Sequence, residues 1–370
     1  MQSRAVARAL RGRVSATVLT TATNPTLART DVVDDVPVTR IFMQARRQAA
    51  RWKALGHFAV YLAQQLPQVD IVHVQGVSAK NTIVAAMARL HRRPLIVHLQ
   101  TSVHDEPPAI RAQGMLAWQA FRAAAAFISV SSNLTAAYLA SGLPADRIHE
   151  VPNGVDTERF RPASADERHQ LRARLGLPQD IPIVLFVGVM SPDKQPHVLF
   201  DAWAALQHSS DTRSVLVFVG ASDPKLFELE GRLIEDLRAA AASSAFSDRV
   251  LFVDPTPRIE DYYRAADIVV MPSVREGMPN VLLEAMACGL AVVASRLPGS
   301  TTTLIDDGRN GRLVAVGEVA AFRDAVADIL RNADVKAAFG TAARDTIESR
   351  FRVELVAEQW LAIYQGLMRQ

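Results

Sequence analysis

The sequence predicts an α/β protein of two doubly wound domains, each a parallel sheet wrapped by crossover helices. Three observations carry that expectation. Short apolar runs rich in β-branched residues alternate with longer Ala/Leu/Arg segments of helical period. The runs fall into two series, separated by a polar stretch from Val151 to Pro182. A chain of 370 residues, 49% of them hydrophobic, also exceeds what one core usually supports.

Along the chain, SRAVARALRG reads as an opening helix. Strands are expected at Val14–Thr20, Asp70–Val74, Pro94–Leu99 and Ala126–Val130. Between the first two, Ile41 to Gln65 has helical period and carries Arg46, Arg47, Arg51 and Lys53 beside Trp52, Phe58 and Tyr61. It reads either as a crossover helix with its apolar stripe on the sheet or as a basic amphipathic helix lying on an anionic membrane. PNGVDTERFRP and the charged residues after it look like a link between domains. The second series places strands at Ile183–Val187, Ser214–Val219, Arg249–Val253, Ile268–Met271, Ala291–Ser295 and Gly311–Val314.

Composition narrows the class. The single cysteine, Cys288, sits in the apolar run MACGLAVVAS, so a buried structural thiol is expected and an intramolecular disulfide is impossible. No apolar stretch reaches the roughly 18 residues of a membrane span, and the N-terminus lacks the pattern of a signal peptide. A cytoplasmic location follows as the expectation, either free or peripheral at the inner face of the membrane. There is no lysine-bearing P-loop and no GxGxxG fingerprint, which argues against a P-loop NTPase or a dinucleotide oxidoreductase. Residues 1–165 hold 19 Lys+Arg against 10 Asp+Glu, net +9, and the remainder 22 against 28, net −6, which restores the overall +3. A basic first half attracts anionic lipid or phosphorylated acceptors, although scattered arginines also make an ordinary solvated face. Nucleic acid is not an expected partner.

The strongest chemical signal is SVREGMPNVLLEAMACGLAVVAS, Ser273 to Ser295. A strand ends at Pro272, a loop containing glycine and proline follows, and LLEAMA starts a helix of good formers, with its N-terminus around Pro279 to Val281. Unpaired amides and the positive end of the helix dipole there suit a diphosphate at the carboxyl ends of the strands. Glu276 in the loop and Glu284 about one turn into the helix can both turn carboxylates toward a sugar's hydroxyls. Taken singly, each glutamate reads equally as a solvated surface residue.

EGMPNVLLE, with its two glutamates, resembles the signature of retaining glycosyltransferases of the GT-B fold, glycosyltransferase family 4 in particular. VPNGVDTERFRP is similar to that family's interdomain segment, LFVGVMSPDKQPHVLFDAWAAL to the opening of its donor domain, and RVLFVDPTPRIEDYYRAADIVVMPS and LPGSTTTLIDDGRNGRLV to its later strands. The resemblance runs from about Arg8 to the C-terminus. It implies GT-B architecture, two Rossmann-like doubly wound domains facing across a cleft. The corresponding segments are 1–160, the acceptor-side domain; 161–352, the nucleotide-sugar domain; and 353–370, a helix crossing back to the first.

The resemblance also implies roles. Glu284 would bond the donor ribose and Glu276 the transferred sugar, while the amides of Gly277, Met278, Pro279, Asn280 and Val281 border sugar and phosphate and Gly188 ends the first donor-domain strand. Lys194 would stabilise the leaving diphosphate, a task other transferases give to a metal. No metal and no cofactor are expected. The donor is a nucleotide diphosphate sugar and the acceptor a glycan, a lipid or a small molecule. His104 and Asp105, after the strand in RPLIVHLQTSVHDEP, are the acceptor-side candidates for the family's active-site histidine region, with His98 and Gln100 close by. Ser78 is a further candidate that reads equally as a turn and helix cap.

Three departures stand out. Val189 follows Gly188 where the family usually has an arginine, so a phosphate contact is missing and Lys194 carries more of that work. Gln195 replaces a family glycine, a substitution read here as tolerated at a helix entrance. The chain also opens in what matches the family's first helix. The preceding strand and glycine-rich loop are therefore expected to be missing, with weak transfer but intact nucleotide binding. Two other readings fit the motifs, a nucleotide-sugar epimerase of the same architecture and a truncated, non-catalytic nucleotide-sugar binder. The glutamate signature and PNGVD favour a transferase.

Overall fold

In a computed structural model, residues 2–24, 26–42, 48–78, 80–209, 212–220 and 231–369 are described. The chain divides into two units, Met1–Gly154 with Val353–Gln370 and Val155–Arg352. The C-terminal helix, Val353–Met368, therefore belongs to the first unit, where Val356 and Trp360 join Val6, Leu10, Ile96 and Ile128 in the core. Gly154 marks the first crossing between units. A Cβ there would lie 2.8 Å from the Cα of Val353, so the close approach of the two backbone segments requires glycine.

The first unit carries two sheets. One orders β1 (Val18–Ala22), β3 (Val36–Phe42) and β2 (Thr30–Val33), with β1 parallel and β2 antiparallel to β3. The other is all parallel, in the order β4 (Val72–Gln75), β5 (Leu95–Leu99), β6 (Ala126–Ser129) and β7 (Ile148–Glu150). β1 and β4 both border a cavity of about 570 Å³, which Leu10, Phe58 and Trp360 also line.

The β2–β3 hairpin is absent from the sequence expectation, and its turn explains its geometry. Asp34 and Asp35 both have positive φ, 51° and 62°, as a two-residue type I′ turn requires. The segment expected to be helical from Ile41 instead ends β3 at Phe42, because the β-branched alternation of VPVTRIF continues the hairpin. The helix itself runs Gln48–Gln65, between the two sheets in chain order, and buries Ala54, Phe58 and Leu62 in the unit. Arg46 and Arg47 lie outside the described residues. No helix among the described residues is long and apolar enough to cross a membrane.

The second unit holds six parallel strands: β8 (Ile183–Val187), β9 (Val215–Val219), β10 (Val250–Val253), β11 (Ile268–Met271), β12 (Ala291–Ser295) and β13 (Arg312–Val314). Their order is β10-β9-β8-β11-β12-β13, the doubly wound 3-2-1-4-5-6 arrangement. β9, β11 and β12 are buried throughout because helices cover both faces, which is why they read as continuous apolar runs and not as alternating ones. Chain order reverses between β8 and β11, and their carboxyl ends are where a crevice forms in such sheets.

Candidate functional site

Two loops leave that switch point. After β8 the chain passes Gly188 and makes a 3₁₀ turn, Pro192–Lys194. Gly188 needs its φ of 154° and sits so close to Gly220 that a Cβ on Gly220 would fall 1.8 Å from the Gly188 carbonyl oxygen. After β11 comes Pro272 to Pro279, and then the helix Asn280–Ala287, whose N-cap Pro279 supplies no side-chain cap. A helix start without such a cap is suited to an anion.

Paired charges lock the two loops together. The Lys194 ammonium donates to Glu276 Oε1 at 2.5 Å. Arg275 donates to Asp193 Oδ2 through Nε at 3.0 Å and Nη2 at 2.5 Å. The backbone joins them as well, Val274 N–H donating to the Asp193 carbonyl at 2.8 Å.

Glu284 lies deeper and has a different partner, the hydroxyl of the fully buried Tyr263, which donates to its Oε2 at 2.9 Å. Burial pushes the Glu284 carboxyl up to about 7. Burial also drives the Tyr263 phenol well above its ordinary range, with the Glu284 carboxylate adding to the shift. Cys288, just past the helix, is a buried thiol raised by the same desolvation. Gly277, Met278 and Pro279 are buried, and Asn280 and Val281 are half-buried. Among the described residues no group of three or more His, Cys, Asp or Glu could hold a metal ion.

Gln195 stands at the entrance of the helix Pro196–Ser209, as expected, and is strained there. Its backbone is left-handed, φ 45° and ψ 51°, and its Oε1 is buried without a partner. A left-handed non-glycine residue costs roughly 1–2 kcal/mol, partly offset by glycine's greater freedom when unfolded. Gln195→Gly should therefore raise stability by up to about 1 kcal/mol, read as a higher denaturant midpoint at unchanged slope. A lowered midpoint would refute this account.

In the first unit, Asp105 is buried and clamps two loops, accepting from Val77 N–H at 2.7 Å and from Gln100 and Thr101 N–H at 2.8 Å each. His104 beside it is exposed, and Val103 before it has φ 74°, a strained conformation for a β-branched residue. Ser78 caps a turn, its N–H and hydroxyl both donating to Asn81 Oδ1 at 3.2 and 3.0 Å. His98 is buried against His73 and Trp360, ring centroids 5.4 and 5.1 Å away, and desolvation holds it neutral.

Comparison with known proteins places these features in a family of folds. Residues 3–159 match the family profile described as "Glycosyltransferase Family 4", and residues 181–332 the one described as "Glycosyl transferases group 1". The solved structure of Anabaena HepE in complex with UDP and glucose superposes with a TM-score of 0.80 at 21% identity, covering 98% of this chain and 94% of that one. The chain adopts the GT-B glycosyltransferase fold. A second GT-B neighbour, the sucrose-phosphate synthase of Thermosynechococcus elongatus, gives a TM-score of 0.80 at 23% identity, over 99% of this chain and 92% of that one. Among curated proteins, a D-inositol 3-phosphate glycosyltransferase of Xylanimonas cellulosilytica is 37% identical over 60% of this chain and 52% of its own length. The alpha-maltose-1-phosphate synthase of Mycolicibacterium smegmatis is 34% identical over 66% of the chain and 64% of its own length. The chain spans about half the length of most of the curated relatives it matches.

Three further residues at the candidate site are not named from the sequence: Tyr263, Asp193 and Arg275. Arg275 adjoins Glu276 in the signature and was within reach of inspection. Tyr263 gave no signal beyond its place in the helix before β11.

Proposed function

We propose that the protein is a retaining, metal-independent glycosyltransferase that moves a sugar from a nucleotide diphosphate donor to an acceptor hydroxyl. One observation carries the reading: at the switch point of the β8–β13 sheet a cation (Lys194) is bonded to a carboxylate (Glu276) across the loops that follow β8 and β11, and the helix that begins just beyond carries a second, buried carboxylate (Glu284). Lys194 is assigned to the leaving diphosphate, Glu276 to the transferred sugar and Glu284 to the ribose. In the reaction the bond from the anomeric carbon to the diphosphate oxygen breaks, a bond to the acceptor oxygen forms on the same sugar face, and the acceptor hydroxyl's proton leaves with the nucleotide diphosphate. Charge appearing on the leaving oxygen is what Lys194 would stabilise. His104, on a strained and Asp105-clamped loop, is assigned to the acceptor side. That HepE was solved with UDP and glucose supports a nucleotide sugar as the substrate class here.

The test is transfer from UDP-, GDP- and ADP-sugars to a panel of glycan, lipid-linked and small-molecule acceptors, with and without chelator. Transfer with retained anomeric configuration, unaffected by EDTA, is expected. Activity abolished by EDTA and restored by magnesium or manganese would defeat the assignment of Lys194. Conversion of the donor's sugar without any acceptor would point to an epimerase.

A further inference from the structure

We propose that Arg275 is a second diphosphate-binding cation, held at the site by Asp193, and that the ligand's phosphates take the place of the Asp193 carboxylate when nucleotide binds. The proposal rests on reading the second unit as the donor site. Asp193 and Lys194 are consecutive in the turn after β8, and Arg275 and Glu276 are consecutive in the loop after β11. They pair crosswise, Arg275 with Asp193 and Lys194 with Glu276, so two cations and two carboxylates are gathered into one cluster at the switch point.

The cluster stays accessible. Arg275 is 38% and Asp193 43% exposed, against 12% for Glu276. An ion pair this exposed is weak, so an incoming anion can displace its carboxylate at little cost. A guanidinium fork matches two phosphate oxygens and binds them through charge-assisted bonds stronger than those of an exposed pair. A diphosphate also brings more negative charge than the single carboxylate it would replace.

The site has a reason to recruit this arginine. Val189, after Gly188, is apolar and packed against the hydrophobic core of the second unit, so that position supplies no charge. Arg275 reaches the neighbouring turn from the opposite loop and places a cation beside Lys194, one residue along from its own partner Asp193.

Calorimetric titration with UDP, GDP and ADP, the matching monophosphates and inorganic pyrophosphate separates this from a clasp that merely joins two loops. For whichever diphosphate binds the unaltered protein, Arg275→Gln should weaken binding about tenfold or more, with less than about threefold loss for the monophosphate and substantial recovery in Arg275→Lys. Asp193→Asn should tighten diphosphate binding, because it removes the competing carboxylate and leaves the arginine in place. Equal weakening by Asp193→Asn and Arg275→Gln, in variants with unchanged melting temperature, would show a structural clasp and overturn the proposal. No binding of any diphosphate by the unaltered protein would instead defeat the donor-site reading on which it rests.

Discussion

Replacing Lys194 by glutamine is expected to lower kcat by about 10²- to 10³-fold, the loss usual when one preorganised charge donor is removed from a developing oxyanion. In the free protein the ammonium is bonded to Glu276, so part of its charge is already balanced before substrate arrives. The charge it must stabilise grows as the bond to the diphosphate breaks. On the proposed assignment Lys194 would act more strongly on the transition state than on the bound donor, and the loss should fall on kcat more than on KM. Initial rates across donor concentration give the split, and a melting curve shows that Glu276 without this cation still permits folding. A raised KM with unchanged kcat would mean that Lys194 binds donor without assisting the departure.

Glu284→Gln is expected to weaken nucleoside diphosphate binding at pH 8 by about 10- to 100-fold, the value of a charge-assisted hydrogen bond of about 1.5–3 kcal/mol. The carboxyl titrates at about 7, raised by burial. Below that pH the unaltered protein should progressively lose ribose affinity, whereas the glutamine variant should show no such step. Stability moves the other way. A buried carboxyl with a raised folded value favours the protonated state, so the folded form holds the extra proton between about 4.5 and about 7 and stability falls as pH rises through that window. Glutamine has no proton to lose and can still accept from Tyr263. The variant should therefore be flat across the window and more stable than the parent at pH 8. Binding unchanged by the substitution would remove Glu284 from the nucleotide site.

The sheet of the second unit was legible because parallel strands covered on both faces must be unbroken apolar runs, and Ile183–Val187, Ile268–Met271 and Ala291–Ser295 stand at the expected positions. The β2–β3 hairpin was harder to see. Its turn is Asp-Asp where Asn-Gly or Asp-Gly is the usual signal, and its first strand, TDVV, is only four residues long and mostly exposed. The candidates Glu276, Glu284 and Lys194 come from local pattern, since each belongs to a strand-loop-helix passage. Their partners do not. Asp193 and Arg275 are 82 residues apart, and only the pairing of β8 with β11 brings their loops together. Glu284 similarly depends on a tyrosine 21 residues earlier, buried by a helix whose packing no single-segment pattern describes.

The two sheets of the first unit have a mechanical consequence. Within the described residues no backbone ladder links β1-β3-β2 to β4-β5-β6-β7, and the adjoining edges end at a cavity. What holds one to the other is side-chain contact, through the helix Gln48–Gln65 and through the Lys80 ammonium, which donates to Thr21 Oγ1 at 2.8 Å. Packing of that kind yields piecemeal, whereas a continuous ladder yields together. The unit thus has a seam, along which its halves are expected to part on warming or pulling before either ladder breaks.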